Sequence, residues 1–340
     1  MTRAGQVCVP VVEVSQVGEA RRAAARIAQD AGFSGVRSGE VAIVATELAT
    51  NLARYGQQGR LFVQPLSAGG VSIVELLAID RGPGVADLSR ILRDGFSSGG
   101  TAGTGLGAVR RLSATFDIHS TPGAGTAVLS RIAGEDEAPR TGRFEWAALS
   151  TAAANEHICG DAWRIAERDG VVAVMVADGL GHGPLAAEAA LAAATAFEAH
   201  AFDDPAVFFE HAQSASAAGR GAAVAAGQIL PSGVVKYAAI GNISGSIVSG
   251  TESRGLVSHN GIVGMPGRKA QTLEYRCPAG AMLIMHSDGL SSRWTLAAHD
   301  GLATHHPAIV AAVLHREYKR GSDDATVVVI RHAHEREAGR

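Results

Sequence analysis

The stretch that most constrains the fold is residues 171–183, which read VVAVMVADGLGHG. Its continuous apolar run, rich in Val, is typical of a strand buried on both faces. The run ends at Asp178 and a glycine-rich turn, whose backbone carbonyls can approach a bound ion closely. A carboxylate at the end of a buried strand is costly unless a cation neutralises it, and hard divalent cations prefer oxygen ligands. The pattern also fits an ordinary strand–turn–helix junction in which Asp178 caps the next helix.

Length, charge and cysteine content narrow the class of protein. A chain of 340 residues favours two domains, and a net charge of -3 argues against nucleic acid and anionic membranes as partners. Cys8, Cys159 and Cys277 are far apart and form no CxxC pair, which is typical of a reducing compartment. No apolar stretch approaches the ~20 residues of a membrane span, and no signal peptide is recognisable. We therefore expect a cytoplasmic protein.

The first half predicts two helices followed by a sheet. A helix is expected over residues 19–31, and a second, capped by Ser38, runs to Tyr55. On the second helix Glu47 and Asn51 lie one turn apart beside the apolar face, a pair that alone would suggest only a solvated stripe. Further elements are predicted at residues 61–63, 71–79, 106–112, 115–120 and 126–132.

Glycine-rich segments alternate with these elements. Asp80 opens the sequence DRGPG directly after a predicted strand, and residues 94–107 read DGFSSGGTAGTGLG before the helix at 106–112. Backbone N–H groups at a helix start, with no Cβ in the way, form an anion site. One GxG run is a weak signal, but the ordered combination with Glu47 and Asn51 is much more specific.

The stretches TELATNLARYG, DRGPGVADLSRILRDGFSSGG and GLGAVRRLSATFDIHSTPGAGTAV resemble the Bergerat ATP-binding fold of gyrase and histidine kinases. Within that fold, residues 10–132 look most like the RsbT-type anti-sigma serine kinases. The resemblance implies an α/β sandwich that binds ATP, with Glu47 as catalytic base, Asn51 on Mg²⁺ and Asp80 on the adenine amino group. The other nucleotide-binding residues that it implies are Gly82, Gly84, Gly103, Gly105, Leu106, Gly107 and Thr126.

The residues of this half suit phosphoryl transfer, which requires a cation, amide donors and a positioned base. No histidine precedes His119, so self-phosphorylation on an upstream histidine is not expected. An ATP-binding domain that senses nucleotide or holds a partner without transferring phosphate remains an alternative.

Acidic residues mark the second half, which follows a polar linker at residues 136–143. The predicted domains are therefore residues 1–135 and 144–334. Four strand-like segments carry an acid at one end: Asp161, Asp178, Asp288 and the pair Asp323–Asp324. Each alone could be a turn residue or a cap. Together they predict a carboxylate cluster that repels itself without cations, and two divalent ions would neutralise it and activate water.

The stretches CGDAW, VADGLGHGPLAAEAA, YAAIGNI, GIVGMPGR, HSDGL and DDATVVV resemble the PPM metal-dependent Ser/Thr phosphatases of the SpoIIE and RsbX type, over residues 145–332. The resemblance implies an αββα β-sandwich with Mn²⁺ or Mg²⁺. The ligands that it implies are Asp178 as the bridge, the Gly179 carbonyl, Asp288, Asp323 in preference to Asp324, and Asp161 as an outer ligand. His182 is expected near the ions and His286 at a strand end. No arginine stands in the place of the phosphate-clamping arginine of larger relatives.

Together the two halves predict a two-domain α+β signalling enzyme. The resemblances imply that it controls Ser/Thr phosphorylation of a small STAS-domain partner, and they leave a homodimer open. Two alternatives remain: a phosphatase whose ATP-binding half only senses nucleotide, and a non-enzymatic partner-switching module.

Overall fold

The computed structural model describes residues 5–68, 70–88, 105–134, 143–267, 269–321 and 323–333. These residues form two compact units. The N-terminal unit contains residues 5–134 together with Asp300–Arg316, and the C-terminal unit contains residues 143–299 and 317–333. The predicted domain limits did not anticipate that Asp300–Arg316 belongs with the N-terminal unit.

The N-terminal unit is an antiparallel sheet of five strands with helices packed against one face. Its elements are β1 (Val7–Pro10), α1 (Val17–Asp30), α2 (Gly35–Tyr55), β2 (Arg60–Ala68), β3 (Val71–Ile79), α3 (Gly105–Leu112), β4 (Thr115–Thr121) and β5 (Gly125–Ala133). The strand order is β1-β2-β3-β5-β4. The apolar stripe of α2, including Val44 and Leu48, packs in one core with Leu76 of β3.

The start of α2 differs from the prediction. The helix begins at Gly35, and Ser34 is its N-cap because its hydroxyl accepts a hydrogen bond from the N–H of Arg37. Ser38, the predicted cap, lies one turn inside the helix and is buried. Either serine can cap, and the burial of the Ser38 side chain decides between them.

The C-terminal unit contains two antiparallel five-stranded sheets, β13-β10-β9-β8-β7 and β12-β11-β14-β15-β6. Its strands are β6 (Phe144–Thr151), β7 (Asp161–Arg168), β8 (Val171–Gly179), β9 (Ala222–Ile229), β10 (Val234–Ile240), β11 (Ser244–Ser249), β12 (Glu252–Gly255), β13 (Leu273–Arg276), β14 (Met282–His286) and β15 (Ala325–His332). Its helices are α4 (Pro184–His200) and α5 (Pro205–Ser216). A further helix, α6 (Pro307–Tyr318), lies mostly within Asp300–Arg316.

Small side chains allow close packing in this unit. Ala190 and Ala193 of α4 pack with Phe208 of α5 and the apolar residues of β8 and β9. Trp146 of β6 and Trp163 of β7 bring the two sheets together, with ring centroids 6.4 Å apart. The predicted two-domain α+β class is confirmed. None of the helices that the structure describes is long and apolar enough to span a membrane.

Candidate nucleotide and metal sites

Asp80 is held at the end of β3 by backbone contacts on both sides. Its Oδ1 accepts the N–H of Gly82 at 2.6 Å, and its own N–H donates to the carbonyl of Thr126 at 3.0 Å. Burial raises the pKa of the Asp80 carboxyl, while the Gly82 N–H and the positive charge of Arg316 oppose that rise. The predicted residues Asp80, Gly82 and Thr126 therefore lie close together where β3 ends and β5 begins.

The turn after Asp80 requires its glycines. Gly84 has a φ of +66°, and a side chain there would collide with the carbonyl oxygen of Thr121. The hydroxyl of Ser120 accepts the N–H of Val85 at 2.9 Å and lies 2.8 Å from the hydroxyl of Thr126. These contacts fasten the turn to β4 and β5.

The start of α3 lies beside the predicted base. A Cβ on Gly105 would stand only 2.9 Å from Oε2 of Glu47. Glu47 and Asn51 are half-buried on α2, as are Gly105 and Leu106 at the start of α3. Gly107, another predicted nucleotide-binding residue on α3, is buried. Gly103 lies outside the described residues, and its role stays a prediction.

In the C-terminal unit, four strand ends bring the predicted acids together. Asp161 of β7 and Asp178 of β8 are directly paired across antiparallel strands. Asp288 follows β14, and Asp323 and Asp324 precede its neighbour β15. The acids thus form one pair on the first sheet and a second group beside two neighbouring strands of the other sheet.

The electrostatics of this cluster show that the carboxylates interact. Burial, and then the charges of the other four acids, raise the pKa of Asp178 to about 8. Burial also raises the pKa of Asp161 to about 7, against the lowering effect of hydrogen bonds from Ser287 and Thr326. Carboxylates whose pKa values are raised in this way favour a bound cation.

Several oxygen atoms of the cluster fit a metal. Asp161 Oδ1 and Asp324 Oδ2 are buried, and neither has a hydrogen-bond partner within the described part of the chain. Gly179 is buried as well, and a side chain there would collide with the carbonyl of Ala186. Because every atom of the cluster that could bind a metal ion is an oxygen, the site suits a hard ion such as Mg²⁺ or Mn²⁺.

A second layer of polar groups positions these acids. The Ser287 hydroxyl donates to Asp161 Oδ2 at 2.6 Å and accepts the N–H of Thr326 at 2.9 Å. The Asn242 amide donates to Asp288 Oδ2 at 2.6 Å. Sequence reasoning found neither Ser287 nor Asn242, because each acts on an acid that lies far away along the chain.

The two acidic residues before β15 differ in burial and in their hydrogen-bond partners. Asp324 is buried, and its Oδ1 accepts the N–H of Ala153 at 2.8 Å. Asp323 is exposed, and its Oδ1 accepts the N–H of Asp324 at 2.9 Å. The preference for Asp323 as a metal ligand stays a prediction.

Two histidines lie near the acids in sequence. His182 is exposed, and its Nδ1 lies 2.7 Å from Glu156 Oε1. His286 is buried, which lowers its pKa, and its Nε2 accepts the indole N–H of Trp294 at 3.1 Å. A neutral His286 in this arrangement fits its predicted place at a strand end.

Comparisons with known proteins match both units. Residues 11–132 match the family model of the histidine kinase-like ATPase domain, and residues 168–333 match that of stage II sporulation protein E (SpoIIE). The serine/threonine-protein kinase RsbT of Bacillus subtilis (strain 168) is 31% identical over 123 residues, which are 36% of this chain and 92% of RsbT. The chain belongs to the RsbT family. Its RsbT-like domain is joined to a domain that matches the SpoIIE model, called the SpoIIE domain below, and the predicted recognition and enzyme class are confirmed.

One solved structure is similar to more than half of the chain. A chain from a study of the bacterial stressosome, a modular system adapted to control secondary messenger signalling, is 27% identical with a TM-score of 0.51. The match covers 55% of this chain and 99% of that chain.

An arginine that the sequence analysis did not single out contacts Asp80 in the N-terminal unit. Arg316 Nη1 donates to the carbonyl of Asp80 at 3.0 Å, and the Arg81 guanidinium donates to the carbonyl of Arg316. Arg316 lies within the sequence matched by the SpoIIE family model, so its contact with Asp80 could not be read from local sequence.

Histidines of the same segment bind β4 of the RsbT-like domain. Asp117 accepts hydrogen bonds from His305 Nδ1 at 2.9 Å and from the N–H of His306 at 2.7 Å. Burial opposes these bonds, but they lower the pKa of the Asp117 carboxyl overall. The segment Asp300–Arg316 is therefore anchored at two places in the N-terminal unit.

An arginine of the SpoIIE domain lies beside the glycine-rich turn that follows β8. Arg220 Nη1 stands 3.2 Å from the position that a Cβ on Gly181 would occupy, and the N–H of Leu180 donates to the carbonyl of Gly221. Sequence analysis identified no arginine for substrate phosphate, because Arg220 follows α5 rather than any of the metal motifs.

A cavity of about 360 Å³ adjoins the same domain's acids. Its lining includes Asn242, which bonds Asp288, together with His286 and Trp294. The cavity therefore lies next to the side chain that bonds Asp288, one of the predicted metal ligands.

Replacing Asp80 with Asn tests the nucleotide pocket. We expect weaker ATP binding, because the adenine amino group would lose a charged acceptor, and a hydrogen bond to a charged group contributes roughly 1.5–3 kcal/mol. Calorimetric titration of the full chain measures the effect, and Asp87→Asn, at an exposed site nearby, is the control. Equal affinities for the wild type and Asp80→Asn would refute the pocket.

Proposed function

We propose that this protein sets the Ser/Thr phosphorylation of a STAS-domain partner with two opposed activities. The RsbT-like domain transfers phosphate from ATP, and the SpoIIE domain hydrolyses the phosphoprotein with Mn²⁺ or Mg²⁺. The observation that carries the proposal is the convergence of five acids from four strand ends in one domain, in a chain that also matches RsbT.

In the phosphatase reaction, Asp178, Asp288, Asp323 and the Gly179 carbonyl would hold the ions, with Asp161 in support. When bound, the ions polarise the phosphoryl group and activate water. Ser287 and Asn242 orient the carboxylates through their hydrogen bonds. Arg220 pairs with the substrate phosphate, since its guanidinium lies beside the metal turn.

In the kinase reaction, Asp80 binds the adenine amino group and Asn51 holds Mg²⁺. The phosphates bind near the N-terminus of α3, where Gly105, Leu106 and Gly107 offer backbone N–H groups. Glu47 takes the proton from the partner's Ser or Thr hydroxyl while that oxygen bonds to the γ-phosphorus and ADP leaves.

The proposed partner class is supported by the family comparisons. RsbT is named as a serine/threonine-protein kinase, and a stressosome chain is among the similar structures. A STAS-domain substrate is therefore our proposal. The three cysteines, Cys8, Cys159 and Cys277, lie far apart along the chain, which supports a cytoplasmic site of action. A homodimer stays a prediction.

The role of Arg220 is tested by Arg220→Ala. We expect the KM for a phosphoserine peptide to rise roughly three- to tenfold, because an exposed charge-assisted contact is worth about 1 kcal/mol. Steady-state kinetics should show a smaller change in kcat. Arg276→Ala, at an exposed site on β13, is the matched control. An unchanged KM in Arg220→Ala would remove Arg220 from substrate binding.

The proposed function as a whole is tested with γ-labelled ATP and purified STAS-domain proteins encoded beside this chain. We expect label on a serine or threonine of one of them in the presence of Mg²⁺. After excess unlabelled ATP is added, the label should be released while Mg²⁺ or Mn²⁺ is present, and EDTA should stop the release. No transfer to any candidate, together with no release from a labelled phosphoprotein, would refute the proposal.

A further inference from the structure

The SpoIIE domain carries a second group of metal-binding side chains that neither proposed reaction uses. His200 ends α4, Asp203 lies in the turn that follows, and His211 lies on α5. We propose that these three residues bind Zn²⁺ or a related first-row transition ion. This proposal does not depend on the proposed phosphatase and kinase activities.

The three side chains are already close together. One ligand atom from each residue can be chosen so that all three lie within 4.8 Å of one another. His200 Nδ1 is 2.7 Å from Asp203 Oδ2, and the His200 and His211 rings stack with centroids 3.6 Å apart and an angle of 5° between their planes. Two imidazoles and a carboxylate thus lie next to one another at the surface of the domain.

These separations suit a tetrahedral ion. Zn²⁺ binds His nitrogen and carboxylate oxygen at about 2.0–2.2 Å, so its ligand atoms stand roughly 3.3–3.5 Å apart. The stacked rings hold their nitrogen lone pairs in parallel planes, so the exposed His211 has to turn out of the stack before both imidazoles can bind one ion. Water would complete the coordination, since the site is open to solvent.

Hydrogen bonds from a buried side chain fix the backbone of the turn between α4 and α5, which contains Asp203. Gln228 is buried, and its amide donates to the carbonyls of Ala201 at 3.0 Å and Asp203 at 2.5 Å. Phe197 of α4 and Phe208 of α5 meet edge to face with centroids 5.4 Å apart. The backbone of the site is therefore fixed before any ion arrives, which lowers the cost of binding.

The ligand type separates this site from the carboxylate cluster. Two nitrogens and one oxygen favour Zn²⁺, Cu²⁺, Ni²⁺ or Co²⁺, whereas an all-oxygen cluster suits Mg²⁺ and Mn²⁺. One domain would then hold two classes of metal. An ion bound by His200 and His211 would link the end of α4 to α5 and stabilise that helix pair.

The test is a Zn²⁺ titration of the full chain after metal removal, with Mg²⁺ in excess throughout. We expect the wild type to bind one equivalent of Zn²⁺ more than the double variant His200→Ala/His211→Ala. Asp203→Asn should weaken that extra equivalent by roughly tenfold or more. His157→Ala, which replaces an exposed histidine outside the group, should titrate like the wild type.

A second readout uses Co²⁺, whose visible absorption reports the number and kind of its ligands. The band expected for nitrogen ligation should be present in the wild type and absent in His211→Ala, a single change at an exposed position that should leave folding intact. Thermal unfolding in EDTA checks that the variant folds as the wild type does. Equal Zn²⁺ stoichiometry and equal Co²⁺ spectra in the wild type and His211→Ala would overturn the proposal.

Discussion

Asp178→Asn is expected to hydrolyse phosphoserine substrates roughly 10³-fold or more slowly than the wild type. Asp178 feels the charge of all four other acids in the cluster, so it lies at the centre of the predicted metal site. Bound metal contributes several kcal/mol to the transition state, and each 1.4 kcal/mol is tenfold in rate. EDTA should remove the activity of the wild type, and Mn²⁺ should restore it there but not in the variant.

The matched control for this variant is Asp169→Asn. Asp169 is exposed in the turn between β7 and β8, with a φ of +53° that Asn tolerates well. Hydrolysis of p-nitrophenyl phosphate and of a phosphoserine peptide is measured for both variants. Full turnover by Asp178→Asn would refute the two-metal site.

Stability without metal gives the same substitution an independent readout. In the folded protein, burial and the neighbouring carboxylates raise the pKa of Asp161 to about 7 and that of Asp178 to about 8, whereas an unfolded Asp has a pKa of ~3.9. The folded form therefore keeps protons that the unfolded form releases, and its stability should fall as the pH rises from about 4 to about 8. Urea unfolding in EDTA should show this fall, and Asp178→Asn should reduce it.

Glu47→Ala is expected to slow phosphate transfer to the partner by ~10²-fold or more, which is the usual contribution of a general base. ATP should still bind, because the proposed contacts of Asp80 and Asn51 are retained. Calorimetry measures ATP binding, and γ-labelled ATP with the partner measures transfer. Glu40→Ala is the control, since Glu40 lies two turns earlier on α2 and pairs with Arg37 at 2.8 Å. Transfer at the wild-type rate by Glu47→Ala would make the RsbT-like domain a nucleotide sensor.

Local patterns predicted much of this protein. The Val-rich run into Asp178 is β8, and the helical spacing around Glu47 is α2, because in both places burial follows the period of one element. The placement of the acids at strand ends could also be predicted, but these strands belong to two sheets, and only the structure shows how the two sheets meet.

Contacts between distant parts of the chain could not be predicted. Arg316 donates a hydrogen bond to Asp80, and Asn242 donates one to Asp288. Single bonds between distant residues produce no periodic pattern in the sequence. The cap of α2 was assigned to the wrong serine because burial of Ser38, a tertiary effect, decided between two equivalent residues. The prediction missed the helices α5 and α6. Nearly every residue of α6 is buried, which blurs its helical period, whereas α5 buries Pro205, Phe208, Phe209 and Ala212 at helical spacing and could have been recognised from that pattern.

The most direct test of the central claim is a time course of phosphate on the STAS-domain partner, with ATP, Mg²⁺ and Mn²⁺ present. Starting from unphosphorylated partner, Glu47→Ala should add almost no phosphate, while Asp178→Asn should accumulate more than the wild type. Starting from phosphorylated partner, Glu47→Ala should remove phosphate and Asp178→Asn should not. This opposite behaviour is what two separate catalysts acting on one substrate predict. Identical time courses for the two variants would contradict the account.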